Sequence, residues 1–198
     1  MDRRILFRFS SILLDYPDEE KIGYLGRLLQ EMREKGQIDN TLSELERIYR
    51  EFREKDIMDL QKDYVELFDM NRDVSLYLTA WEYGDNRERG RELLRLKEML
   101  DEAHYAQPKG ELPDHVPTLL RFLSGLDGDK RPSDLEQWLA LFFQDAQKKI
   151  QFGRYADLFR LLHDAIPIKI EAKMANYVEP DSERYMPYPI SYEGDGDD

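Results

Sequence analysis

The chain has 198 residues, enough to bury a single-domain core, and carries a formal net charge of −13 with 36% charged and 41% hydrophobic side chains. Its 42 acids against 29 bases disfavour nucleic acid and anionic membrane surfaces as partners, because both demand a basic face, and favour basic peptides. The absence of cysteine excludes disulfides, thiolate nucleophiles, iron–sulfur ligation and Cys-type zinc sites.

The first stretch, MDRRILFRFSSILL, opens with two arginines but is not read as a secretory signal. Arg8 splits its apolar residues and no small-residue cleavage site follows. Its stripe of Ile5, Leu6, Phe9, Ile12 and Leu13 predicts a helix, stopped and restarted at Asp15 and Pro17. A second stripe runs Ile22, Leu25, Leu28, Leu29 and Met32, ending near Gly36. A third holds Leu42, Leu45, Ile48, Tyr49 and Phe52, and a fourth Ile57, Leu60, Tyr64, Leu67 and Phe68. Residues 74–83 (VSLYLTAWEY) mix strand-favouring side chains with a helical setting, and are read as one more short helix. Asp85 with Glu88 resembles a capping box leading into Leu93, Leu94, Leu96 and Leu100. After a Pro/Gly loop at 106–113, a helix is expected at 116–123. Pro132-Ser133-Asp134 then starts a long helix through Leu135, Trp138, Leu139, Phe142 and Phe143, and Tyr155, Leu158, Phe159 and Leu162 give the last.

The longest strongly apolar run, WLALFF at 138–143, falls far short of the roughly 18 residues that span a membrane. The expected architecture is an all-α, single-domain bundle of about eight or nine helices over residues 1–170. Residues 171–198 carry eight acids, two bases and three prolines, the composition of an acidic tail largely disordered beyond about residue 180. A cytoplasmic location is expected.

ELPDHVPTLLRFL at 111–123 places acidic residues and a histidine beside two prolines. Pro117 tolerates only the first helical turn, and Asp114 is the one good N-cap residue between Pro113 and Pro117. Asp114 is therefore expected to cap the helix, with His115 in its first turn. A metal site is disfavoured: the three histidines, His104, His115 and His163, show no paired spacing, and no Glu-x-x-His pattern repeats. No G-x-S-x-G elbow and no phosphate-binding glycine loop occurs. Tyr64, Leu67 and Phe68 lie at i, i+3 and i+4 on one helical face, with Tyr77, Trp81 and Tyr83 following. Such aromatic residues are core by default. In an acidic all-α chain without catalytic groups they also suit recognition of a helix or peptide.

YVELFDMNRDVSLYLTAWEYGDNRERGRELLRLKEML (64–100), ELPDHVPTLLRFL and the opening FRFSSILLDYPDEE together resemble the nitrate reductase molybdenum cofactor assembly chaperones. These are the NarJ/NarW type, within the wider TorD/DmsD family of redox-enzyme maturation proteins. The resemblance covers most of the first 165 residues. It implies an all-α fold, no enzymatic activity and no bound cofactor. The implied partner is the catalytic (alpha) subunit of a respiratory nitrate reductase, bound through its N-terminal segment before molybdenum cofactor insertion and membrane docking. Molybdenum cofactor biosynthesis proteins are further implied partners. Carried over by position, the family's peptide contacts fall on Tyr64, Leu67 and Phe68 and on Glu111, Pro113, Asp114 and His115, with Tyr77 and Trp81 between the motifs. The wider family often writes the loop E-P-x-D-H, whereas this chain has E-L-P-D-H, a shift that fits the nitrate reductase branch. Asp114 and Glu111 are expected to meet basic residues of the target. Alternatives are a chaperone for a dimethyl sulfoxide or trimethylamine N-oxide reductase, a generic peptide-binding adaptor, and a metal-dependent all-α hydrolase using His115 and Asp114.

Overall fold

The computed structural model describes residues 3–35, 40–150, 153–166 and 168. The acidic-tail expectation for 171–198 lies outside the described residues. Those described form nine α-helices and no strand. They are α1 (Arg3–Leu13), α2 (Glu19–Glu34), α3 (Asn40–Arg53), α4 (Ile57–Tyr64), α5 (Leu78–Tyr83), α6 (Arg87–Glu102), α7 (Val116–Ser124), α8 (Ser133–Lys149) and α9 (Arg154–Ala165). None is long and apolar enough to cross a membrane.

The helix starts follow local chemistry. Asp18 takes the N–H of Lys21 at 2.7 Å to open α2, and Asp56 takes that of Met58 at 2.8 Å to open α4. At α6 the cap is Asn86, which accepts from Arg87 N–H at 2.6 Å, and not Asp85. Asn86 stands immediately before the first helical residue, so its short side chain reaches that amide directly, while the Asp85 side chain is almost wholly exposed.

α7 is apolar nearly all round because it is buried nearly all round, with Val116, Leu119, Leu120, Phe122 and Leu123 in the core. α1 packs along it, and α8 packs along α9. Between the helix pairs sits a set of interlocked rings: Phe159 lies 6.1 Å from Phe142, 5.9 Å from Phe143 and 6.4 Å from Phe68. Edge contacts then lead from Phe68 to Tyr155 and on to Phe52.

A buried cation locks the far end of α7. The Arg131 side chain, 3% exposed, donates to the carbonyls of Leu123 and Leu126 at 3.2 and 3.3 Å. Its guanidinium also lies over the Phe7 ring and near Glu136, which Arg3 pairs at 3.2 Å. Arg131→Met keeps the volume and strands two carbonyls, so chemical denaturation should show a loss of about 2 kcal/mol.

Candidate functional site

The segment 74–83 resolves as two structures in sequence. Val74 ends a single 3-10 turn, residues 75–77 form a short connection with Tyr77 extended, and α5 follows. The extended part pairs antiparallel with the end of the ELPDH loop at Tyr77 and His115. Val116 N–H donates to Leu76 O at 2.8 Å, and Leu78 N–H to Asp114 O at 3.0 Å. Both the strand-favouring composition and the helical setting are thus satisfied, the first at one isolated bridge and the second in α5.

This pairing decides what Asp114 does. Its side chain is 0% exposed, and one carboxylate oxygen accepts from the N–H of Thr79 at 3.1 Å and its hydroxyl at 2.5 Å. Thr79 is the second residue of α5, so Asp114 caps α5 from 35 residues away. It does not cap α7: the N-cap there is His115, with no side-chain cap, and Pro117 falls in the first turn. The Asp114 carboxylate, expected to meet a basic target, is fully buried and held by Thr79. Arg89, in the RERG stretch of α6, adds a 3.4 Å bond to the Thr79 hydroxyl. The loop, α5 and α6 therefore meet at Thr79.

Beside Asp114 lie Tyr77 and Glu111, half-buried, and His115, which is buried. Tyr77 donates its hydroxyl to Glu111 at 3.0 Å, and its ring lies 5.3 Å from the His115 ring. His115 Nδ1 sits 3.3 Å from Thr118 Oγ1 and 3.5 Å from Glu111. Burial, together with its bond to Glu111, pushes the Tyr77 phenol up to about 12. Burial also pushes the His115 imidazole below its usual 6.5, against the opposing pull of Glu111, Asp15 and Asp114. The folded state thus favours neutral His115, and the unfolded chain takes its proton first as pH falls. His115 therefore adds stability fully present above about 6.5 and lost progressively below it. His115→Gln should flatten the stability–pH curve just below 6.5 in denaturation series, relative to the unsubstituted chain.

Tyr64, the last residue of α4, and Phe68, in the turn that follows it, have rings 5.0 Å apart. Tyr64 donates to Leu14 O at 3.3 Å and meets the Tyr16 ring edge-on at 5.5 Å. The Asp15–Tyr16 turn joins the two sets of residues, since Arg121 of α7 reaches Asp15 at 3.4 Å. Tyr16 itself is 43% exposed and Leu112 41%. Residues Val65–Asp69 form a π-helical turn, closed by Met70 N–H to Val65 O at 2.9 Å. That wide turn buries Phe68 against Tyr155 at 4.9 Å. It leaves Leu67 on the wall of a cleft of about 340 Å³ beside Asp63, Glu66 and Arg154.

Of the residues singled out from sequence, Tyr77, Glu111 and His115 touch one another, and Asp114 and Pro113 are buried with them. Tyr64 and Phe68 touch each other but are core residues. Trp81 belongs to a different set of contacts: its indole N–H donates to Asp145 at 2.7 Å and its ring meets Phe142 at 5.6 Å. Periodicity passes over Asp15, Tyr16 and Arg121, which link α7 to Tyr64, and over Thr79, which holds Asp114. The DYP turn after the first stripe is the one signal that flags the first two. Among the described residues no group of three or more His, Asp or Glu is arranged to hold a metal ion.

Residues 28–150 match the family model described as nitrate reductase delta subunit. The nitrate reductase-like protein NarX of Mycobacterium tuberculosis is 34% identical over 124 residues, covering 62% of this chain but only 18% of NarX. NarJ of Bacillus subtilis, named as a nitrate reductase molybdenum cofactor assembly chaperone, is 32% identical over 169 residues, 83% of this chain and 90% of that protein. NarJ of Escherichia coli is 32% identical over 160 residues, 77% of this chain and 65% of its length. A redox enzyme maturation protein from Archaeoglobus fulgidus shares the fold, with a TM-score of 0.62 at 24% identity over 81% of this chain and 91% of that one. The chain belongs to the nitrate reductase delta subunit family, with relatives of the NarJ type along most of its length.

Proposed function

We propose that this chain is a non-catalytic, cytoplasmic assembly chaperone for a respiratory nitrate reductase. It binds the N-terminal segment of the apo catalytic subunit, keeps that subunit open to molybdenum cofactor insertion, and delays membrane docking until loading is complete. Proteins of molybdenum cofactor biosynthesis would meet the chaperone at the same stage. The observation that carries the reading is the Tyr77–Glu111–His115 cluster, joined in space from two separated motifs, with the exposed Leu112 next to Glu111 in the loop. An aromatic and apolar surface around a half-buried carboxylate suits a segment that is apolar with basic residues. The net charge of −13 would speed the encounter at low salt. Glu111, rather than Asp114, is the counter-charge in this reading, with Leu67 and Tyr77 as apolar contacts and Tyr64, Phe68 and Trp81 as the framework beneath.

Affinity capture from the native host, read by mass spectrometry, tests the partner. Recovery of the nitrate reductase catalytic subunit is expected. Recovery of a dimethyl sulfoxide or trimethylamine N-oxide reductase instead would reassign the client within molybdoenzymes.

A further inference from the structure

Against the chain's net charge of −13, one stretch of surface gathers cations that no acid answers. The Arg8 guanidinium of α1 and the Arg27 guanidinium of α2 both lie over the Tyr24 ring, 5.8 and 6.0 Å from its centroid. Tyr24 is 36% exposed, Arg27 is exposed and Arg8 is half-buried. Arg27 lies back along its own helix, its Nη1 3.7 Å from where a Cβ on Gly23 would stand. Among the described residues neither guanidinium meets a carboxylate. Glu20 and Glu31, one turn before Tyr24 and one turn after Arg27, are exposed and pair with neither.

The patch continues on the other side of Arg8. Tyr105, seated after α6 by its N–H to Leu100 O at 2.9 Å, meets Phe122 of α7 edge-on at 5.4 Å. Burial pushes its phenol up while Arg121 and Arg8 pull it back, which places both cations near its hydroxyl. Arg121 is already answered, by Asp15 at 3.4 Å, and Asp15 also holds Lys21 at 3.3 Å. Arg27, Tyr24, Arg8, Tyr105 and Arg121 thus form a run in which cations alternate with tyrosines, drawn from four parts of the chain.

A guanidinium held over a tyrosine ring keeps N–H groups at its edge for an acceptor, and that edge matches the two oxygens of a carboxylate. Tyrosine hydroxyls add donors beside it. Nucleic acid would need a far longer basic surface, against the repulsion of a chain at −13. A protein segment needs only a few carboxylates in register with the run.

We propose that this arginine–tyrosine run is a docking surface for an acidic segment of a partner protein. Carboxylates of the segment pair with Arg8 and Arg27 and accept from the Tyr24 hydroxyl. The charge of this segment is opposite to that of the one read at Glu111, so the two surfaces take different segments and neither reading rests on the other.

The probe is hexaglutamate, titrated calorimetrically into the full chain at constant, low ionic strength. Saturable binding is expected at about 1 mM or tighter, weakened about tenfold in Arg8→Gln/Arg27→Gln. Since no acid answers either arginine, that variant should unfold at nearly the same denaturant concentration as the unsubstituted chain. Arg87→Gln/Arg91→Gln removes the same charge from exposed positions on α6, and should change the affinity less than about twofold. The absence of saturable heat in the unsubstituted chain refutes the surface. Equal losses in the two double variants refute it as well, because they assign the attraction to the field of the whole protein. Tighter binding of hexathymidylate, or of phosphatidylglycerol vesicles, through the same two arginines overturns the assignment to a protein segment.

Discussion

Asp114→Ala is expected to lower the stability of the folded domain by about 3 kcal/mol, roughly 6–12 °C in melting temperature for a domain of this size. The loss has three parts. Two bonds to a charged acceptor disappear, the Thr79 N–H and hydroxyl are stranded in a buried site, and α5 loses its N-terminal cap. Removing a buried carboxylate with one unpartnered oxygen returns some of this, which keeps the figure near 3 kcal/mol rather than higher. Thr79→Val should cost about 1–2 kcal/mol. The double variant should cost clearly less than the sum, because both changes break the same pair. Additive losses in chemical denaturation would show that Asp114 acts elsewhere. The consequence for function is indirect: Asp114 positions α5 and the loop that carries Glu111 and His115, so its loss weakens binding by loosening the surface.

Phe68→Ala should cost about 3–4 kcal/mol, because that ring fills the space between Tyr64, Tyr155 and Phe159. Leu67→Ala, one residue earlier, should cost less than about 1.5 kcal/mol, since Leu67 is half-buried on an open cleft wall. The π-helical turn explains how adjacent residues take such different roles. Its extra residue per turn directs Phe68 inward while Leu67 stays at the rim. If Leu67 is a peptide contact, Leu67→Ala weakens peptide binding in a protein of near-normal stability. Phe68→Ala loses binding only in step with loss of fold. Denaturant midpoints and calorimetry on the same preparations separate the two, and equal stability losses would contradict the assignment of Phe68 to the core.

The helices were legible because each buries a stripe at helical spacing, and most stripe residues lie in the observed core from Leu6 to Leu162, although Leu94 is exposed. Segments governed by contacts distant in sequence were less so. Asp114 has the chemistry of an N-cap and sits in the right place for α7. Its actual partner, Thr79, is 35 residues away, and only the pairing of 76–78 with 114–116 brings them together. The same pairing explains why 74–83 read ambiguously, as a short connection holding one isolated bridge at Tyr77 leads into the α5 helix. Asp85 lost the α6 cap to its neighbour Asn86, a difference of one residue that spacing rules do not resolve. The motif residues Tyr77, Glu111 and His115 did converge. Trp81 turned to Asp145 instead, its half-buried indole placing its N–H on that carboxylate.

The central claim is that the surface around Tyr77, Glu111 and His115 holds an apolar, basic peptide. Calorimetric titration of a synthetic peptide from the N-terminus of the nitrate reductase catalytic subunit tests it, with the full chain and with Glu111→Gln, which leaves the fold intact. The account predicts binding by the unsubstituted chain that weakens with added salt. In Glu111→Gln it predicts affinity reduced about tenfold and a shallower salt dependence. Equal affinity and equal salt dependence in the two proteins would contradict it.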